Sequence, residues 1–150
     1  MSVPTISALL DRIQTLNELL ETANARRYYS EVRKSALYPL IVPTVGEASL
    51  SARDSDSVNV QQSVLLEMFV GAPLDGLPVA TEVRRAEQAI DEVYALYEQR
   101  RRLQLPPTDQ GLVILARLTG HTGIAYNDLF GLYQIDFTLS LNYTRYITQT

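Results

Sequence analysis

The sequence predicts an α+β fold: a mixed, mostly antiparallel sheet of about four strands with two amphipathic helices packed on it, in a single domain spanning residues 1–150. Three observations carry this expectation. Residues 6 to 24 repeat apolar side chains at steps of three and four, the spacing of one helix face. Residues 58 to 70 and 133 to 144 instead alternate apolar and polar side chains, the period of a strand with one dry and one wet face. At 150 residues, 46% hydrophobic and 20% charged, the chain can bury one core of ordinary size but not two.

In chain order, Ile6, Leu9, Leu10, Ile13, Leu16, Leu20 and Ala23 form the stripe of the first helix, with Asp11, Gln14, Asn17, Glu18 and Glu21 on the other side. Pro4 and Thr5 suit its start, Thr5 as a cap for the free amides of the first turn, and the stretch Asn24 to Arg27 ends it. Ala36 to Pro43 is β-prone, but its two prolines each remove a ladder donor, so an edge strand is expected. Residues 44–57 are small and polar without either period and predict an extended loop or hairpin tip. Connections of that length are uncommon inside a compact domain and often functional. Val58, Val60, Gln62, Val64, Leu66, Met68 and Val70 form the dry face of a long strand. Gly71 to Gly76 turns the chain, and Pro78 suits the first position of a second helix striped by Val79, Val83, Ala86, Ile90, Val93 and Tyr97. Arg100, Arg101 and Arg102 would close that helix, where cations complement its dipole, and Pro106-Pro107 would stop it. Leu112 to Thr119 is a further strand, followed by a turn region at 120–128.

The closing strand, about 129–147, alternates Tyr133, Ile135, Phe137, Leu139, Leu141 and Tyr143 with polar residues. Its fifteen-residue run Leu129 to Tyr143 would extend roughly 50 Å at about 3.3 Å per residue. That is long for a body on the order of 40 Å across. Either the strand bends, at Gly131, or part of the sheet projects and is covered by a second subunit; the second is preferred, because long bare edges are rare.

Composition narrows the chemistry. With no cysteine, disulfide scaffolds, thiol nucleophiles and cysteine-based zinc sites are excluded. Asp11 and Arg12 cut the first apolar run short of a signal-peptide core, and no apolar stretch is long enough to span a membrane, so a non-exported protein without membrane contact is expected. The net charge of -4 argues against wrapping a nucleic-acid duplex, although twelve arginines against the single Lys34 leave room for a local cationic patch. His121 is the one imidazole, in a Gly-His-Thr-Gly turn with no nucleophile elbow, and no glycine-rich phosphate loop exists; no enzyme is expected. Asp54 and Asp56 have the opening spacing of a calcium loop, but Val58 takes the next ligand position, so no metal or cofactor is assigned. The candidate functional residues are interfacial. Ser51, Arg53, Asp54 and Asp56 lie in the extended loop, Arg100, Arg101 and Arg102 offer planar donor forks for phosphate or an acidic surface, and nine tyrosines against three phenylalanines suit subunit contacts. Among them Tyr133 and Tyr143 are expected in the core, and Tyr28, Tyr29, Tyr126 and Tyr146 at interfaces.

The order of elements, with the closing segment from Tyr126-Asn-Asp-Leu-Phe-Gly through Gln134-Ile-Asp-Phe-Thr-Leu-Ser-Leu141 and the early Tyr38-Pro-Leu-Ile-Val-Pro43, resembles the tail terminator proteins of long-tailed bacteriophages over about residues 5 to 147. Related neck and tail-completion proteins share the layout. The resemblance implies a small mixed sheet with helices packed on it and a homo-oligomer, a ring of six copies at the head-proximal end of the virion tail. It implies a ring that caps the tail tube, stops its polymerisation and meets the head connector, with DNA passing through the lumen unbound. It implies no catalysis. The competing expectation is a small non-viral binding domain that holds an acidic partner on an Arg/Tyr surface.

Overall fold

The computed structural model describes residues 5–32, 38–103 and 114–146, apart from the side chains of Glu31 and Tyr146. The Thr5 hydroxyl accepts the Ala8 amide at 3.1 Å and starts helix α1, Ile6–Asn17, which buries Leu9, Leu10, Ile13 and Leu16. The helix stops short of residue 24 although the apolar spacing runs on to Leu20 and Ala23, both buried. Its continuation is replaced by a turn whose amides find another acceptor: the Glu92 carboxylate takes the Glu21 and Thr22 amides at 2.7 and 3.2 Å and also the Thr22 hydroxyl. The same core holds Leu20 and Ala23 in a different backbone, so the stripe persisted where the helix did not.

The chain then forms strand β1 (Asn24–Ala25), a 3-10 turn at Tyr29–Glu31, and the long strands β2 (Leu40–Ala52) and β3 (Ser57–Gly71). A small hairpin, β4 (Pro73–Leu74) and β5 (Leu77–Pro78), leads into helix α2 (Ala80–Gln99). Strands β6 (Arg102–Leu103), β7 (Ile114–His121), β8 (Ala125–Asn127) and β9 (Leu132–Tyr146) complete the fold. One seven-stranded sheet runs in the order β1-β2-β3-β9-β7-β6, with β8 added to β9; only β1 pairs parallel. The expected sheet of about four strands is therefore corrected to a large, curled mixed sheet. The four long strands account for the expected number; β1, β6 and β8, at two or three residues each, are too short to display a period of two.

The expected loop at 44–57 is also corrected. Residues 44–52 are the second half of β2, paired with β3 as far as Ala52↔Val58, and only 53–56 form the tip. Gly131 lies in the turn before β9 (φ 68°), so it introduces no bend within that strand, which pairs with β3 from Ser57↔Tyr146 to Gly71↔Tyr133. Residues Pro4, Lys34, Ala36, Pro106, Pro107 and Leu112 lie outside the described residues.

Both helices cover one face of the sheet, α1 over β2 and β1 and α2 over β7 and β3. The alternating residues named from the sequence supply the floor of this core: Val60, Val64, Leu66, Met68 and Val70 from β3 with Ile135, Phe137, Leu139, Leu141 and Tyr143 from β9 are buried. From α2 come Ala86, Ala89, Val93 and Tyr97. A smaller cluster of Val32, Leu40, Val42, Phe69 and Leu132 sits apart from this core, with Tyr29 against Phe69 and Phe130. The alternate positions farther along β3 and β9 are polar: Asn59, Gln61 and Asn142 are exposed. Among the described residues no helix is long and apolar enough to cross a membrane.

Candidate functional site

The hairpin tip between β2 and β3 is held by its own polar groups. Asp54 Oδ1 accepts the Asp56 amide at 2.8 Å and the Ser57 hydroxyl at 2.9 Å, while the Arg53 and Asp54 amides both donate to the Ser57 carbonyl at 3.3 Å. The hydrogen bond from the Asp56 amide, with that from Ser57, lowers the Asp54 carboxyl below its ordinary range. Asp54 thus locks the turn, which leaves Asp56 and Ser51 as exposed groups free of that duty. Arg53 Nη1 donates to Thr144 Oγ1 at 3.1 Å and ties the tip to the end of β9, where the Tyr146 backbone lies opposite Ser57.

The arginine cluster falls just beyond the end of α2. Arg100 is the C-cap, its amide bonded to the Leu96 carbonyl at 3.0 Å; the Arg101 carbonyl accepts the Ala116 amide at 2.7 Å; Arg102 pairs with Leu115 in β6. The last turn of α2 itself holds no basic residue; Arg100 closes the helix as its C-cap, whereas Arg101 and Arg102 lie along an edge of the sheet. All three side chains are exposed.

Following the pairing across the sheet, Arg102, Leu115, Asn142, Gln61 and Ser49 stand in one row. Arg102 and the β2 hairpin therefore share one end of the sheet but occupy its opposite edges. Tyr126 is elsewhere: exposed on β8, its ring 5.4 Å from Tyr133, whose hydroxyl donates to the Gly76 carbonyl at 2.8 Å. Tyr126 pairs at Tyr133 and Arg102 at the row of Asn142, nine residues along β9, or about 30 Å. The nine candidate residues thus mark three places, and Tyr126 does not join the arginines.

Tyr28 is exposed with Arg27 stacked 4.7 Å from its ring centroid, whereas Tyr29 serves the fold. Its hydroxyl donates to Glu67, which stands directly opposite Asp136 across the β3–β9 pair. Burial raises the Glu67 carboxyl above its ordinary range; the Tyr29 bond opposes this and Asp136 adds to it. Burial and the Glu67 contact push Tyr29 up to about 12. His121 ends β7 with Nδ1 2.8 Å from the Tyr94 hydroxyl and its ring 5.7 Å from that of Phe137. Among the described residues no group of three or more potential metal-ligating side chains comes together. An open cleft of about 320 Å³ lies between the turn after α1 and the end of α2, with Leu19, Leu20 and Leu96 beside Glu92 and Arg100.

Sequence reasoning missed the most exposed strand. From Glu47 to Ala52 every residue of β2 is exposed, on both faces, and Leu50 retains 65% of its accessible surface. The signal available was the absence of alternation itself: a strand bare on both sides has no reason to alternate. No protein-family model matches the chain, and no curated protein matches its sequence.

Proposed function

We propose that this chain is a virion structural protein, a tail terminator whose copies form a ring on the head-proximal end of the tail tube. The single observation that supports this reading most is the second half of β2, hydrogen-bonded to β3 on one side yet bare on both faces from Glu47 to Ala52. A strand in that state is a template for another chain, and stable proteins seldom leave one without a partner. The element order and the likeness of Tyr126–Leu141 and Tyr38–Pro43 to tail terminators name the class of partner: further copies, the tail tube protein and the head connector. The activity is geometric. One ring face continues the tube and the other accepts no further tube subunit, with the exposed Ser51, Arg53 and Asp56 as the contact. The acidic chain suits a lumen through which DNA passes without binding.

The experiment is tube growth in the presence of the purified protein, with lengths measured by electron microscopy. The wild type is expected to shorten tubes in proportion to its concentration, and a Leu50→Asp, Arg53→Glu variant with unchanged circular dichroism to leave them long. Tubes of unchanged length in excess wild-type protein would remove the reading.

A further inference from the structure

The outer edge of β2 changes character along its length. β1 covers it at Leu40 and Ile41, and the Arg26 amide donates to the Ile41 carbonyl at 2.9 Å. Next come Pro43, which has no amide to offer, and a bulge between Val45 and Ala48, two devices that discourage a foreign strand. From Ala48 to Ala52 they stop: the run Ala-Ser-Leu-Ser-Ala holds no proline and no charge, every residue in it is exposed, and Leu50 is bare. At Arg53 the chain leaves the strand for the tip.

That run reads the same in both directions about Leu50. Laid antiparallel on a second copy with Leu50 opposite Leu50, it sets Ala48 against Ala52, Ser49 against Ser51 and, at both ends, Glu47 against Arg53. We infer that the exposed half of β2 is a self-pairing surface, and that two copies of this chain join edge to edge there about a two-fold axis at Leu50. The backbone is oriented for it. The Arg53 amide donates to the Ser57 carbonyl, one step beyond the Ala52↔Val58 pair and in the same register. Residues of an antiparallel strand turn their backbone groups alternately to one neighbour and to the other. Arg53, Ser51 and Ser49 therefore face β3, while Ala48, Leu50 and Ala52 present amide and carbonyl to the open side, where Ala52, Leu50 and Ala48 of the second copy meet them.

The side chains agree with the backbone. Opposed residues share a face, so the two Leu50 side chains lie together on the side that carries Val60 and cover apolar surface that each copy alone leaves to water. At both ends the opposed side chains carry opposite charge. Arg53 has Nη1 on Thr144 and keeps further donors for the Glu47 carboxylate. The pairing also stops short of the protected stretch: past Arg53 the second copy turns into its tip, so Pro43 has no strand opposite it. An isologous contact uses the same patch on both copies and closes at the pair. The inference goes beyond the terminator reading and does not rest on it. Joined to that reading, it makes the pair the form in which the dilute chain shields the edge that ring and tube later use.

The chain has no cysteine, which allows a direct test. Residues opposed across an antiparallel pair have Cα atoms about 4.5–5.5 Å apart, within the disulfide range. Within the run only Leu50 lies opposite itself; Ser49 and Ser51 stand diagonal to their own copies at about 7–8 Å, beyond that range. A single Leu50→Cys variant under mild oxidation is therefore expected to give covalent dimers much faster than Ser49→Cys or Ser51→Cys alone, and a mixture of the latter two to give the mixed dimer. Charge reversal is the second arm. In dilute solution Glu47→Arg and Arg53→Glu are each expected to lower the native mass from two chains to one, and both changes in one chain to restore the pair. A Leu50→Cys protein that oxidises no faster than Ser51→Cys, or a combined reversal that stays at one chain, overturns the pairing. Fast Leu50→Cys cross-linking in a protein whose wild type leaves tube length unchanged supports the pairing and removes the terminator reading.

Discussion

The Asn17–Tyr97 pair shows how a polar contact can fix the relation of two helices. Both residues are buried, and the Tyr97 hydroxyl donates to Asn17 Oδ1 at 2.6 Å; burial raises the Tyr97 hydroxyl far above its ordinary value. Asn17 Nδ2 has no partner among the described residues, so the amide is only half satisfied. Tyr97→Phe should cost about 1–3 kcal/mol by stranding Asn17 Oδ1. Adding Asn17→Leu should cost less than the sum of the two single changes, read from urea unfolding as a double-mutant cycle. Glu67 makes the opposite kind of contribution. Its carboxyl is raised by burial, so the folded state prefers the protonated form. The stability tied to that preference is fully present below the unfolded pKa and is lost as pH rises through the folded one. Glu67→Gln keeps an acceptor for Tyr29 and removes the like charge opposite Asp136. At neutral pH it should stabilise by about 0.2–1 kcal/mol, and it should remove the loss of stability expected of the wild type as pH rises above the ordinary carboxylate range, read from unfolding curves. Neither pairing could be read from the sequence, because 80 residues separate Asn17 from Tyr97 and 69 separate Glu67 from Asp136.

At the scale of elements, the sequence was most informative where one face of a strand or helix is dry and the other wet. Residues Val60 to Val70 and Ile135 to Tyr143 alternate because β3 and β9 lie between the helical layer and a polar surface. The apolar spacing overruns the end of α1 because Leu20 and Ala23 stay in the core after the helix has stopped, and burial rather than backbone sets their spacing. The outer half of β2 reads as a loop in the sequence because nothing covers it and its residues have no dry face to alternate with. The end of β3 carries a further constraint that residue identity alone hinted at. Gly71 has φ 155° beside a register shift, and a Cβ there would stand 1.6 Å from a Glu82 carboxylate oxygen. Gly71→Ala should destabilise by about 1–3 kcal/mol. Glu82→Ala in the same chain should recover the steric part and leave the backbone part, which thermal unfolding of the two variants would separate.

For the whole molecule, the candidate interface residues divide between two edges and one end of the sheet, a distribution that suits contacts on several sides. Arg53, Asp54 and Asp56 were legible as a tip, and Arg100 to Arg102 as a cationic cluster. Their placement on opposite edges at one end was not, since it depends on the pairing of five strands in order. The measurement that tests the proposed ring most directly is the native mass of the wild-type protein over a range of concentrations. A species of six copies of the 16.8 kDa chain with nothing larger is the predicted result; a monomer at every concentration, or a mass that grows without limit, would contradict it.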